Sequence, residues 1–256
     1  MAELAAQYGV WAVAFAFVVL LCAGFVKGAV GFALPIVAIT GVGAVMSPET
    51  AIAAIIIPGL VTNIQQSFRG GLGAARETLV KYWRLNLTLF LLIGLFAQLV
   101  VVLPDAVLIT ILGLFITATA TLQLRGWQPR VPARMANAVE AAVGAVSGIF
   151  GGLTAVWGPP ILLYLIARGV PKAELVRAQG VAFLNGSIIL VGAHLFSGVL
   201  DRNTLPFSAL LVIPAVAGLL LGRIVQDRLD QQRFRKVTLV LLILAGLNML
   251  RRGLLG

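Results

Sequence analysis

Lys27 lies in an apolar stretch among Phe25, Val26, Val30 and Phe32, with no acidic residue near it in sequence. A charge placed in lipid costs at least about 2.5–3.5 kcal/mol, so such residues usually have a task. A lone cation there suits an anion; the alternative is that its long stem carries the ammonium to an interface. Asn63 and Asn185 are further candidates at membrane depth, each able to donate and to accept hydrogen bonds, against the alternative of a bond between helices. Pro58-Gly59 precedes Asn63, which predicts a break in that helix beside the amide. Thr62, Gln65, Gln66, Ser147, Thr154, Trp157 and Gln179 extend the polar set, and some of them must be packing contacts. Glycines accompany these residues: Gly28 and Gly31 in the first half, Gly148, Gly151 and Gly152 in the second. Glycine lets a backbone turn sharply or approach a ligand closely. A broken helix presents free N–H groups and a positive end that attract anions. A single GxxG is explained as well by close helix packing. Two at matching positions, one followed by Pro35 and the other by Pro159 and Pro160, favour a binding role.

Other chemistries find little here. Glu140 reads as a residue of the cytoplasmic surface and His194 as an interfacial one. With one histidine, one cysteine (Cys22) and no paired intramembrane carboxylates, neither a transition-metal site nor a nucleophile–base set is expected. No GxxxxGK[ST] loop occurs, so this chain hydrolyses no ATP. No cofactor and no enzymatic activity are expected. The donors left over suit a small anion: a cation would find no counter-charge, and a large apolar molecule would leave them unpaired.

These residues are positioned by a chain of 256 residues that is 60% hydrophobic and 11% charged, with a mean hydropathy of +1.04. Soluble domains are about half apolar and about a quarter charged. Six segments read as full membrane spans: 50–68, 85–103, 105–124, 174–196, 205–222 and 235–252. Two longer apolar stretches, 8–46 and 135–167, would measure about 50–57 Å as unbroken helices, too long for a hydrocarbon core of about 30 Å. Each must fold back as a glycine-broken hairpin. The start, MAELAAQYG, has no basic region and does not read as a cleaved signal.

The net charge of +10 reads as the cytoplasmic bias of membrane loops and not as a nucleic-acid surface. Fifteen of the nineteen Lys and Arg fall in 69–84, 125–134, 168–177 and 223–236. With those loops inside, the first hairpin opens outward and the second inward, and three spans follow each. The expected fold is therefore an all-α polytopic membrane protein. It is one transmembrane transporter domain, residues 1–256, of two inverted repeats, about 8–126 and 135–253. Each repeat is a hairpin plus three helices, and the hairpin tips approach near the bilayer centre. Internal matches support a duplication: residues 27–32 with 147–152, Asn63 with Asn185, Gly94 with Gly218 and Gly126 with Gly253.

The repeated GxxG hairpins, the GGLTAVWGPP stretch at 151–160 and the paired Asn63 and Asn185 resemble the sulfite exporter TauE/SafE family of membrane permeases over about 10–250. The first repeat departs from the second, with Lys27 opposite Ser147 and Phe32 opposite Gly152. The resemblance implies secondary transport of small sulfur-containing anions such as sulfite, sulfoacetate and sulfonates, or related carboxylates. The expected substrate-binding set is Lys27, Gly28, Gly31, Asn63, Gln66, Ser147, Gly148, Gly151, Gly152, Thr154, Trp157, Gln179 and Asn185, with no metal. The expected setting is a multi-pass place in a bacterial inner membrane, with the lipid bilayer and a small anion as partners and no nucleic acid. An anion channel and a membrane subunit of a larger complex are the alternatives.

Overall fold

A computed structural model describes residues 8–96, 105–127, 131–154, 157–196 and 198–255. Among these residues every regular element is helical. The helices are α1 (Val10–Val30), α2 (Leu34–Val42), α3 (Pro48–Ser67), α4 (Gly71–Lys81), α5 (Trp83–Phe96), α6 (Asp105–Leu124), α7 (Ala136–Thr154), α8 (Gly158–Ala167), α9 (Lys172–Phe196), α10 (Thr204–Leu210), α11 (Val212–Arg228) and α12 (Gln231–Leu255).

Four stretches are long and apolar enough to cross a membrane: Val10–Val30, Lys172–Phe196, Thr204–Arg228 and Gln231–Leu254. A fifth candidate is bent by 96° between Glu49–Ser67 and Gly71–Lys81. The outward side of α1 exposes Trp11, Phe15 and Val18. Such a stripe would associate in water and suits a lipid-facing surface. The chain is a multi-pass membrane protein.

The first expected hairpin is present, its arms meeting where Gly41 faces Val19. The first breaks at Gly31–Ala33: Gly31 closes α1 at φ 90° and returns its N–H to the Lys27 carbonyl. Ala33 has φ 78°, a left-handed conformation costing a non-glycine residue about 1–2 kcal/mol. Pro35, in the first turn of α2, restarts the helix where a missing N–H matters least. In the second expected hairpin α7 ends at Thr154 and α8 starts at Gly158, with residues 155 and 156 outside those described, and α8 again carries prolines in its first turn. Helix α8 is buried from Pro159 through Ile166, as an all-apolar helix must be.

The chain divides into two compact units that interleave in sequence. The first unit is 1–66 with 187–229, the second 67–186 with 230–256. In the first unit α1 packs along α11. A Cβ on Gly24 would lie 2.1 Å from the Ala215 carbonyl oxygen, and one on Gly28 2.2 Å from that of Leu219. Residue numbers rise together on both helices, so they run parallel. Around this seam lies a core that includes Ala16, Leu20, Leu34, Phe207 and Leu211. In the second unit α7 lies on α5 in the same manner, Gly144 against the Leu85 carbonyl and Gly148 against that of Leu89. There α6 pairs with α12 in the opposite sense, Gly113 against Gly246 and Gly253 against Thr110. Close approach at small residues is how helices gain packing where lipid supplies no hydrophobic drive between them.

Several expectations are corrected. Helix α3 runs unbroken through Pro58; the bend comes after Ser67, where Gly71 takes φ 85°. Most of the expected loop 69–84 is helix α4, and α11 continues past 222 to Arg228. Gly94 has nothing within 4 Å of an added Cβ, so it is not the packing counterpart of Gly218. Glu140 is buried, not at the surface, and its carboxylate accepts the Leu85 backbone N–H at 3.3 Å, a free donor in the first turn of α5.

Candidate functional site

In the first unit, Lys27 sits in the last turn of α1 and is only 3% exposed. Its Nζ donates to Thr62 Oγ1 at 2.9 Å and to Asn63 Oδ1. Thr62 passes its own proton to the Pro58 carbonyl at 2.6 Å, and Asn63 Nδ2 donates to Ser187 Oγ at 2.6 Å. One turn along α3, Gln66 Nε2 donates to the Gly31 carbonyl at 3.0 Å and so ties the hairpin break to this face. Every hydrogen-bond partner of the ammonium is neutral. Arg223 lies one position past Gly222, whose added Cβ would stand 2.9 Å from the Gly28 Cα. The seam therefore sets the backbone of the residue before Gly28, Lys27, near that of the residue after Gly222, Arg223. A buried ammonium whose hydrogen-bond partners are neutral favours an anion beside it.

The second unit builds a different constellation around Trp157. A Cβ on Gly151 of α7 would meet the Trp157 Cβ at 2.9 Å, and one on Gly186 of α9 would meet the indole ring at 2.7 Å. The Phe183 ring stands edge-on to the indole, centroids 6.4 Å apart, a favoured aromatic geometry. Ser147 lies one turn before Gly151, and Gln179 one turn before Phe183. Both are fully buried. Asn185 Nδ2 donates to Asn86 Oδ1 at 2.9 Å, and Asn86 donates to the Tyr82 carbonyl at 2.8 Å. The Tyr82 hydroxyl donates to Glu174 at 2.6 Å, which pairs with Lys81 at 2.6 Å. Tyr82 thus takes part in both contacts, its backbone carbonyl holding Asn86 and its hydroxyl reaching the Lys81–Glu174 ion pair.

Of the expected residues, Lys27, Gly31, Asn63 and Gln66 come together in the first unit. Trp157 contacts Gly151 in the second, and helical register places Ser147 and Gln179 on the same faces; Asn185 joins Asn86 instead. Gly28, Gly148, Gly151 and Gly152 are helical rather than at a turn, and for Gly28 and Gly148 close packing is the observed use. The Thr154 side chain lies outside the described residues. Sequence reasoning missed Arg223, counted as a loop charge, and Ser187 and Asn86, ordinary polar residues of apolar helices. The Gly218–Gly222 spacing before Arg223 is the signal that could have found it.

The described helices are seamed at glycines and bury a lysine among polar side chains, features that suit a membrane transport protein. The family model described as Sulfite exporter TauE/SafE matches residues 16–249, and the chain belongs to that family, whose members are transporters rather than enzymes. No curated protein and no solved structure matches the chain.

Proposed function

We propose that the chain is a secondary transporter, a permease that moves small sulfur-containing or related organic anions such as sulfite, sulfoacetate and sulfonates across a bacterial inner membrane. The observation that carries this reading is Lys27, 3% exposed, held by Thr62 and Asn63 and facing no carboxylate partner among its described contacts. An isolated buried cation is unfavourable unless paired, and an oxyanion supplies the pair together with acceptors for neighbouring donors. Inverted repeats fit the exchange of partners between halves: arm α1 packs on α11, and arm α7 on α5, each pair parallel. The test is counterflow in proteoliposomes loaded with sulfite, sulfoacetate or ethanesulfonate. Saturable exchange of these anions is expected. Exchange of a small organic cation with no exchange of any of the anions would overturn the reading.

A further inference from the structure

Among the buried polar atoms of the second unit that make no hydrogen bond, four belong to three residues near Trp157: Ser147 Oγ, Trp157 Nε1 and both Nε2 and Oε1 of Gln179. Ser147 and Gln179 are 0% exposed and Trp157 is 7% exposed. A buried polar atom without a partner costs about 1–3 kcal/mol. Helical hydroxyls normally avoid this by donating to the carbonyl one turn back, as Thr78 and Thr88 do, each at 2.8 Å. Ser147 does not. Gln179 leaves both ends of its amide open, so no choice of amide orientation supplies a partner.

These atoms belong to one neighbourhood. Trp157 is seated between Gly151 on α7 and Gly186 on α9. Ser147 precedes the first of these glycines by one turn. Gln179, Phe183 and Gly186 share one face of α9 at helical spacing. The indole nitrogen lies on the Gly186 side, 3.1 Å from where a Cβ on that residue would stand, so a larger residue there would cover it. Trp157 also opens α8, whose N-terminal end carries roughly half a positive charge.

We propose that the second unit carries a binding site in which Trp157, Gln179 and Ser147 take a singly charged oxyanion that bears a hydroxyl group. The indole N–H, the amide NH2 and the serine hydroxyl donate to the oxyanion, while Gln179 Oε1 accepts from the ligand hydroxyl. None of the three side chains is a cation, so a second negative charge on the ligand would be buried uncompensated. A ligand without the hydroxyl leaves Oε1 orphaned, and sites built for a hydroxyl reject such analogues. This site rests on the reading of the chain as an anion permease, and its ligand chemistry narrows the substrate class.

Trp157 reports its own site. The other three tryptophans, Trp11, Trp83 and Trp127, are exposed; changing each to Phe leaves one indole. That protein is titrated with isethionate and with ethanesulfonate, equal in charge and differing by one hydroxyl, while fluorescence is read. A saturable change is expected, with isethionate bound about tenfold more tightly or better, the worth of one buried hydrogen bond. Gln179→Met and, separately, Ser147→Ala should lower isethionate affinity, and Gln179→Met should remove the preference. No saturable change with either anion, as when water alone fills the site, or equal affinity for both, overturns the site. Counterflow in the same protein separates the two readings: exchange of sulfonates with a silent Trp157 sinks only this site, and no exchange of any anion by the unaltered chain sinks the permease reading.

Discussion

In the first unit an arm of the hairpin, 10–30, lies parallel to helix 212–228 with Gly28 against the Leu219 carbonyl, and the residue before that glycine is Lys27. In the second unit the arm 136–154 lies parallel to helix 83–96 with Gly148 against the Leu89 carbonyl, and the residue before that glycine is Ser147. The seams are alike and the adjacent positions differ by a full charge. Glycine fixes how near the backbones come. The next residue, aimed aside, is free to set the electrostatics. Lys27 is met by Thr62 and Asn63, whereas Ser147 is met by nothing.

The largest effect expected is on the seams themselves. Gly28→Ala places a methyl group 2.2 Å from a backbone oxygen, and Gly148→Ala places one 2.8 Å from the Leu92 Cβ. Neither obstacle can rotate away, and the approach at Gly28 is the closer, so Gly28→Ala should be the worse of the two. Overpacking costs about 1–3 kcal/mol, at times more. A thermal-unfolding scan should show both variants lowered and Gly94→Ala unchanged, since Gly94 has open space around it. Gly94→Ala as damaging as Gly28→Ala would break the likeness of the seams. Next comes charge: Arg223→Met should weaken anion binding about three- to tenfold, measured calorimetrically at low salt, because screening hides partly exposed charges. Equal loss in high salt would assign Arg223 a packing role. Asn63→Ala and Asn185→Ala follow, with a larger loss of anion affinity at Asn63, whose amide uses both ends on Lys27 and Ser187.

The smallest effect concerns the turn between α9 and α10. Backbone N–H groups of Thr204 and Asn203 hold the exposed Asp201 carboxyl below the usual carboxylate range. Its stabilisation is present above the unfolded-state pKa and disappears as pH falls through the depressed folded value. Asp201→Asn should therefore cost a little stability at neutral pH and nothing in acid, read as the difference in Tm between the two proteins across that range.

What the sequence made legible follows from how each signal arises. Apolar length and the prolines Pro35, Pro159 and Pro160 located many of the helices and the first hairpin break, because proline at a helix start and glycine at a helix end report local backbone needs. Pro58 misled for the same reason in reverse: a helix inside a packed protein can carry a proline without breaking, and its carbonyl is here taken up by Thr62. Lys27, Asn63 and Gln66 were legible as polar residues at depth. Arg223 was not, since a charge near a span's end reads as loop until the partner helix is known. Glu140 failed likewise: its burial depends on the Leu85 N–H of a helix more than fifty residues away.

The most direct measurement of the central claim is anion affinity at Lys27. Sulfite and sulfoacetate binding is measured by titration calorimetry for the unaltered protein, Lys27→Met and Lys27→Arg. Lys27→Met keeps length and loses charge, and should weaken binding more than tenfold, about 1.4 kcal/mol or more. Lys27→Arg should retain much of the affinity, because the charge remains. Unchanged affinity in Lys27→Met, with the protein folded by its unfolding scan, would show that this lysine does not face the anion and would contradict the cationic site.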